Sequence, residues 1–495
     1  MPAVIDGSTA AAQAAQPPLD ARWPGARRLM AARALGRFAF AFWLTIIFTF
    51  VQSRIACDTL PEPGGEFTNS AWCGDRLKVI DGAQRFVSVM RMLSSISLLL
   101  SLTPCALLRD SLPRRTYSIA QQSVSVFAWS LQFVGAWAPP SSSSNGLIFV
   151  ATFCGPFLQL GGLDDMLYDA TARMDGATRG QILARDHTFQ LFAGVSARLL
   201  GTWVNGLQLT SFGPIVTFLA SVYASCLLLC ISLPPVQVLK EGESASPGAV
   251  VRSAGHIAIM LREAVVALRC DRLFLWTAVE SIFSGMATGA QTLQGPLLMA
   301  KHPSLSVVFR NKVSFASGIA MLPCPVIGNA MATRYGLRRC ICFGELFEFL
   351  FALVGPVLCM LWAEPYIAAS DVAVSMIGAL QSAPQSSIEH NKPFMRGDLR
   401  GRASAILASI KDLSTALVSY WLAHSVDMST IGNAGILKVW LVFYVFYIVE
   451  KGLWWTYQWP FFREEADSIE RDMRAQASQR NEGQEGAKNR PKKID

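Results

Sequence analysis

Twelve apolar stretches of about 20 residues each run through the chain, and short charged connections separate them. A helix needs about 20 apolar residues to cross the hydrocarbon core of a bilayer. The stretches lie near 35–53, 83–107, 116–138, 146–169, 187–206, 211–232, 273–296, 312–333, 340–363, 366–389, 403–424 and 435–459. The sequence therefore predicts an all-α membrane protein with twelve transmembrane helices.

The composition excludes several other classes of protein. Charged residues make up 16% of the chain and hydrophobic residues 52%, whereas soluble proteins carry about 25% charged residues. This excludes a soluble enzyme, a disordered chain and a fibrous protein. The net charge of +8 comes from clusters between the apolar stretches, so we interpret it as a topology signal and expect no nucleic-acid partner. No nucleotide-binding motif occurs, which argues against direct ATP drive.

Lysine and arginine predict the orientation in the membrane. They collect in the N-terminal segment and in the even-numbered connections, while the third connection, 139–145, has no charge. Positive residues favour the cytosolic side. We therefore expect a multi-pass protein of the plasma membrane or of an organelle, with both termini in the cytosol.

The same pattern divides the chain into five segments. Two six-helix halves are expected at 35–232 and 273–460, joined by a cytosolic connection at 233–272. Within that connection, apolar residues recur at helical spacing around 257–268, which predicts an amphipathic helix. The N-terminal tail, 1–34, and the charged C-terminal tail, 461–495, are expected in the cytosol. We expect the N-terminal tail to be disordered, with a transit peptide as the alternative. A short helix could form at the start of the C-terminal tail, and its end is expected to be disordered.

Cysteine and histidine give little sign of a metal site. The five histidines are scattered, and most of the 11 cysteines lie inside apolar runs. We therefore expect neither a metal site nor any other cofactor. Cys57 and Cys73 share the long outer loop 54–82. If that side is oxidising, a disulfide is predicted, and if it is reducing, two free thiols are.

Two landmarks recur at almost the same offset. The pair Arg114-Arg115 returns as Arg338-Arg339 after 224 positions, and Arg179-Gly180 returns as Arg400-Gly401 after 221. Two landmarks in register favour a duplication of six helices.

The connections after the second and eighth stretches carry parts of a known signature, Gly-x-x-x-Asp-(Arg/Lys)-x-Gly-(Arg/Lys)-(Arg/Lys). Asp110, Arg114 and Arg115 match it in the first half. Arg334, Gly336 and Arg338 match it in the second half. Ala106, Ser111, Pro113, Asn329, Thr333 and Leu337 depart from it. Over about 35–460 the chain thus resembles the major facilitator superfamily, with no subfamily identified. The resemblance implies two pseudo-symmetric halves that rock to expose a central site alternately to each side.

The resemblance also implies a set of cytosolic gating contacts. Asp110 would approach Arg400 or Arg402 at the start of the eleventh stretch, or the helix N-terminus there. Arg114 or Arg109 would reach Asp169. In the second half, Arg338 or Arg339 would pair with Glu389. The alternative is that these charges only mark topology in a solvated turn.

Ionisable residues inside the stretches are costly in a bilayer and are therefore candidates for function. The candidates for substrate binding or ion coupling, with two neutral polar residues added, are Arg91, Arg198, Glu280, Lys411, Asp412, Gln291 and Gln381. The alternative is that these charges neutralise one another as structural pairs, for example Arg91 or Arg198 with Glu280 or Asp412.

The leading hypothesis for function is secondary active transport of a small polar solute. Arg91 and Arg198 favour an organic anion, and Glu280 is the candidate for coupling to protons or another ion. A second hypothesis is a non-transporting membrane subunit or scaffold. A third is a ferroportin-like metal exporter, which is disfavoured because 35–53 contains neither Asp nor His. We do not expect an enzyme.

Overall fold

The computed structural model describes residues 25–55, 76–156, 162–163, 166–167, 176–206, 212–234, 266, 269, 271–301, 307–361, 364–389, 392–395, 399–426 and 433–471. Cys57, Cys73 and Asp169 lie outside these ranges, as do most of the predicted amphipathic connection and both ends of the chain. The backbone is helical or lies in short turns throughout the described ranges.

Six helices are described before the central connection. They are α1 Ala26–Ile55, α2 Arg76–Ser111, α3 Arg114–Trp137, α4 Ser142–Cys154, α5 Gly176–Gly206 and α6 Gly213–Ile231. Seven follow it: α7 Arg272–Lys301, α8 Val307–Met321, α9 Cys324–Tyr335, α10 Leu337–Leu361, α11 Glu364–Glu389, α12 Leu399–Ser425 and α13 Asn433–Leu453.

The predicted eighth stretch, 312–333, is divided between α8 and α9. The break falls at Leu322 and Pro323, and Pro325 stands in the first turn of α9. Proline lacks an N–H and its ring clashes with the preceding turn, so it is tolerated where a helix starts and not where one continues.

Helical backbone continues beyond the end of α13. A π-helical turn, Trp454–Gln458, follows α13, and helical backbone then runs through 459–471, into the predicted tail. We name 459–471 the C-terminal helix. Phe462 and Ala466 lie one turn apart and are both fully buried. They belong to a cluster with Trp454 and Ile388, and this buried face explains why a charged segment stays helical.

Three described stretches are long and apolar enough to cross a membrane on hydropathy and length alone. They are Ala26–Arg54, Gly213–Ile231 and Lys312–Ala332. Other long helices, such as α2, α7 and α12, carry the charged residues described below.

The helix contacts fall into two groups with two connections between them. In the first group α1 packs on α5 and α6, α3 packs on α4 and α6, and α2 packs on α4. In the second group α7 packs on α12 and α13, α10 packs on α11, and α8 and α9 pack on α11. The main contacts between the groups are α2 on α12 and α5 on α8.

Small residues bring α7 and α12 into close contact. Gly285 and Gly289 stand four residues apart on the face of α7 toward α12. A Cβ atom added at Gly289 would lie 2.7 Å from the Thr415 carbonyl oxygen, and one added at Gly285 would meet the Lys411 carbonyl oxygen even more closely. Two glycines at this spacing let backbones approach, which is how helices associate in membranes.

Gly285→Ala is expected to destabilise the protein, since the new methyl group would overlap backbone that has little freedom to move. Overpacking of this kind costs about 1–3 kcal/mol. The matched control is Gly194→Ala in α5, where an added Cβ meets nothing within 4 Å. Thermal unfolding of the purified protein in detergent should show a lower midpoint for Gly285→Ala only. Equal midpoints for both variants would contradict a tight α7–α12 crossing.

Candidate functional site

Arg91 lies where α2 meets α12. Its Nη1 atom donates a hydrogen bond to the Ser419 hydroxyl at 3.3 Å, and the Asp412 carboxylate is close enough to attract it electrostatically. One turn further along α2, the Ser95 hydroxyl donates to the Asp412 carbonyl oxygen at 3.1 Å. Positions four apart on α2 and seven apart on α12 face each other, so two helical stripes place these groups together.

Helix α7 adds a third side to this site. The hydroxyls of Thr292 and Ser419 lie 3.1 Å apart, and the Ser419 hydroxyl also donates to the Gly289 carbonyl oxygen at 3.2 Å. We name Arg91, Ser95, Thr292, Asp412 and Ser419 the Arg91 cluster. Two predicted residues, Lys411 beside it on α12 and Gln291 on α7, are exposed.

Arg198 lies at the other contact between the two helix groups. Its Nη1 atom donates to the Ser314 carbonyl oxygen in α8 at 3.2 Å. Gly318, one turn along α8, lets α5 approach closely, since an added Cβ there would lie 2.8 Å from a methyl carbon of Val195. Arg91 and Arg198 thus each connect one helix group to the other at a different crossing.

Glu280 has partners that the sequence did not suggest. Its Oε2 atom accepts a hydrogen bond from the Gln458 side-chain amide. The Oε1 atom of Gln458 accepts in turn from Lys392 Nζ at 2.8 Å. Gln458 and Lys392 are 3% and 5% exposed, so the three residues form a buried chain from α7 to the connection between α11 and α12.

The charges around Glu280 come from several elements. Glu450 and Lys451 of α13, Lys411 of α12 and Lys392 all act on it electrostatically. Lys392 lies in the connection before α12. Burial lowers the pKa of its ammonium group, while the nearby carboxylates of Glu389 and Glu280 act in the opposite direction.

A second buried network joins α10, α11 and α13. Lys451 Nζ lies 2.7 Å from Glu345 Oε2 and 3.7 Å from Glu348 Oε1. The predicted site residue Gln381 donates to Glu348 at 2.5 Å, and Gln385 donates to Glu345 at 3.2 Å. Gln381 therefore supports this ionic network, which ties three helices together.

The cytosolic gating candidates are placed in part. Arg338 Nη1 lies 3.7 Å from Asp467 Oδ2 of the C-terminal helix, and its backbone N–H donates to Glu470 at 3.4 Å. These acids, and not Glu389, are the neighbours of Arg338 here. Arg339 and Arg334 are exposed, and the Arg334 guanidinium lies 5.4 Å from the centre of the Tyr335 ring.

In the first group, two arginines lie at the C-terminal end of α6. Arg115 Nη2 donates to the Ile231 carbonyl oxygen at 2.5 Å, and Arg28 Nη1 donates to the Ser232 carbonyl oxygen at 2.8 Å. A positive group at a helix C-terminus is favoured by its unpaired carbonyls. Arg114 is the first residue of α3. The backbone places Asp110 near the end of α2 and Arg400 at the start of α12.

The sequence did not suggest the interhelical contacts of two further arginines, of which Arg54 is buried and Arg33 partly buried. Arg33 Nη1 pairs with Asp186 Oδ2 at 2.7 Å, between α1 and α5. At the other end of α1, Arg54 donates to Asn145 at 2.8 Å and to Ser144 at 2.5 Å. Both stand at the margins of apolar stretches, where sequence alone predicts a solvated charge.

Removing one partner of the buried Lys451 pair should be costly. Lys451→Met leaves Glu345, which is 3% exposed, without its cation, and breaking such a pair costs about 3–5 kcal/mol. The control is Arg338→Gln, because its ion pair with Asp467 is about half exposed and contributes about 0–1 kcal/mol. Unfolding free energies from detergent titration should separate the two variants. Similar losses in both would contradict the burial of the Lys451 network.

Comparison with known proteins supports the fold. No protein-family model and no curated protein sequence matches the chain. Among solved structures, the human organic anion transporter MFSD10 is similar at TM-score 0.59 and 16% identity, covering 88% of this chain and 100% of that one. The xylose transporter XylE from E. coli is similar at TM-score 0.58 and 13% identity, covering 87% and 97%.

A bacterial homologue of the iron transporter ferroportin is similar at TM-score 0.59 and 10% identity, covering 88% of this chain and 99% of that one. Identities this low establish the fold and not the cargo. These likenesses agree with the signature residues around Asp110 and Gly336, and the protein is an integral, multi-pass membrane protein with the major facilitator superfamily fold.

Proposed function

We propose that the chain crosses the membrane twelve times as two six-helix halves with both termini in the cytosol. The helix contacts support this arrangement because they repeat. The contacts of α1 with α5 and α6 correspond to those of α7 with α12 and α13. The pairs α2–α12 and α5–α8 are also equivalent, since each joins the second helix of one half to the fifth helix of the other.

We propose that the protein is a secondary active transporter that moves a small polar solute, favoured to be an organic anion, by alternating access. The observation that carries this proposal is the Arg91 cluster, a charged site at a contact between the two halves. Rocking of the halves would separate Arg91 of α2 from Asp412 and Ser419 of α12. A solute that competes for Arg91 would therefore favour one state over the other.

The chemistry of the cluster favours an anion. Within the described residues, Ser419 is the one hydrogen-bond partner of Arg91, and among those residues its other guanidinium donors meet no acceptor. With Lys411 alongside, two positive charges stand against the one carboxylate of Asp412. Arginine offers paired donors that match a carboxylate or a phosphate. One structural neighbour is described as an organic anion transporter, whereas others carry xylose or nucleosides.

Glu280 is our candidate for ion coupling. It lies about 12 Å along α7 from the cytosolic end, at 1.5 Å per residue. Burial disfavours the charged carboxylate, and the lysines around it favour that form. A proton is the ion that we propose, and one structural neighbour is described as a proton symporter. Arg198, Gln291 and Lys411 are proposed to help hold the solute, and Gln381 to support the second network.

The cytosolic turns are proposed to hold the outward-facing state. In the first half Asp110 and Arg400, with Arg114 and Asp169, remain the proposed contacts. In the second half, Arg338 with Asp467 is the contact that supports such a role. The competing function is a scaffold that has kept the bundle and moves no solute. Uptake of labelled organic anions into liposomes containing the purified protein separates the two, because a scaffold would show none.

Arg91→Gln should reduce uptake of an organic anion, since the substitution keeps hydrogen bonding and removes the charge. A charge-assisted contact is worth about 1.5–3 kcal/mol, which corresponds to a loss of about tenfold or more in apparent affinity. The control is Arg85→Gln in the same helix, because Arg85 pairs with Asp81 one turn away at 2.8 Å. Proteoliposome uptake over a range of anion concentrations measures the effect. Unchanged affinity in Arg91→Gln would remove Arg91 from the binding site.

Glu280→Gln should separate coupling from transport, since it preserves shape and removes titration. Exchange of solute across the membrane should survive, while uptake driven by a pH gradient should disappear. Glu464→Gln, an exposed position on the C-terminal helix, controls for the loss of a carboxylate. The measurement is proteoliposome uptake with and without the gradient. Persistent pH-driven uptake in Glu280→Gln would show that coupling resides elsewhere.

A further inference from the structure

A hydrogen-bond chain of three side chains, Glu280–Gln458–Lys392, joins the proposed coupling residue to the connection before α12. The amide of Gln458 is oriented by its two partners, because an ammonium group needs an acceptor and a carboxylate needs a donor. Its Oε1 atom therefore faces Lys392 and its Nε2 atom faces Glu280. This arrangement is an ion pair with a neutral amide between the charges, and such linked hydrogen bonds strengthen one another.

One member of the chain is held rigidly. Gln458 ends the π-helical turn Trp454–Gln458, and Trp454 and Phe462 on either side of it are buried in the same cluster. A π-helical turn widens a helix locally and is frequent at functional sites. Movement of Gln458 would disturb that cluster. The Lys392 end of the hydrogen-bond chain is therefore the part that can move when the charge of Glu280 changes.

That opposite end is a short connection with apolar contacts to two helices. Lys392 precedes a 3-10 turn, Pro393–Met395. Phe394 in this turn is buried with Phe274 of α7 and Ala403 of α12, and the two rings are 5.3 Å apart. A shift of Lys392 would thus be carried to the first turns of α12.

We propose that Gln458 and Lys392 are positioning residues that report the charge state of Glu280 to α12. With Glu280 ionised, the chain of hydrogen bonds holds the connection in place. With Glu280 protonated, its attraction on Lys392 is lost and only that of Glu389 in α11 remains, so the connection loosens. The inference rests on the coupling role proposed for Glu280 and adds the route by which protonation changes the helix arrangement.

Other charges around Glu280 must be separated from this route. Glu450, Lys411 and Lys451 also act on it. Glu450 is held by a hydrogen bond from Ser284 and not by Gln458. It therefore provides a matched control, a neighbouring carboxylate that lies outside the chain of hydrogen bonds.

Hydrogen–deuterium exchange of the full-length protein in lipid nanodiscs tests the proposal without a solute. The amides to follow are those of Lys392, which donates to the Glu389 carbonyl oxygen at 3.3 Å, and of Phe394 and Met395. Glu280→Gln, Gln458→Leu and Lys392→Met should each speed their exchange by about tenfold, the effect of one lost charged hydrogen bond. Glu450→Gln should leave the exchange rate unchanged, as should Gln132→Leu at a glutamine buried in α3.

The double variant Glu280→Gln/Gln458→Leu should exchange no faster than either single variant, because both break the same chain. Additive effects, an unchanged rate in Lys392→Met, or a rise in Glu450→Gln equal to that in Glu280→Gln would overturn the proposal. Transport does not enter this measurement. The prediction about pH-driven uptake and the prediction about amide exchange are therefore tested independently of each other.

Discussion

A charge inside a bilayer must find its partner inside the protein, and this constraint organises the interior of the bundle. Arg91, Glu280, Glu345 and Lys451 all lie on helices that the sequence places in the hydrocarbon core. Water is scarce there, and an unpaired charge costs several kcal/mol. Each of these side chains accordingly bridges to another helix, so the polar contacts also determine which helices are neighbours.

The two buried networks serve this constraint in different ways. Lys451 meets Glu345 directly at 2.7 Å, with glutamine amides on the remaining oxygens, and such a satisfied network favours one fixed packing. Glu280 instead reaches Lys392 only through Gln458. An indirect pair is weaker than a direct one, and a weaker pair is easier to switch by adding a proton. This difference is why we assign structure to the first network and coupling to the second.

Hydropathy was sufficient to predict the helical class, and the turn signature was sufficient to predict the superfamily fold. The pairing of Arg91 with α12 was also within reach, because the sequence suggested Asp412 as one of its structural partners. The partners of Glu280 were not. In the sequence, Lys392 lies in a connection where a lysine is explained by membrane topology, and Gln458 lies at the end of the last apolar stretch. Neither position indicates a contact with Glu280, which becomes visible only in the folded structure. A short helix at the start of the charged tail was within reach of the sequence, but its cause, the burial of Phe462 and Ala466, was not.

Helix α12 connects the two proposed sites. Lys392 lies shortly before its first residue, and Asp412 and Ser419 form one wall of the Arg91 cluster about 20 and 30 Å further along, at 1.5 Å per residue. The backbone of α7 at Gly285 and Gly289 packs closely on the middle of α12. We therefore expect α12 to move as a rigid helix. A rigid element with two discrete positions is a physical means of coupling distant sites. A displacement at Lys392 would therefore alter the Arg91–Ser419 contact between the two helix groups, which is what the proposed coupling of a proton to a solute requires.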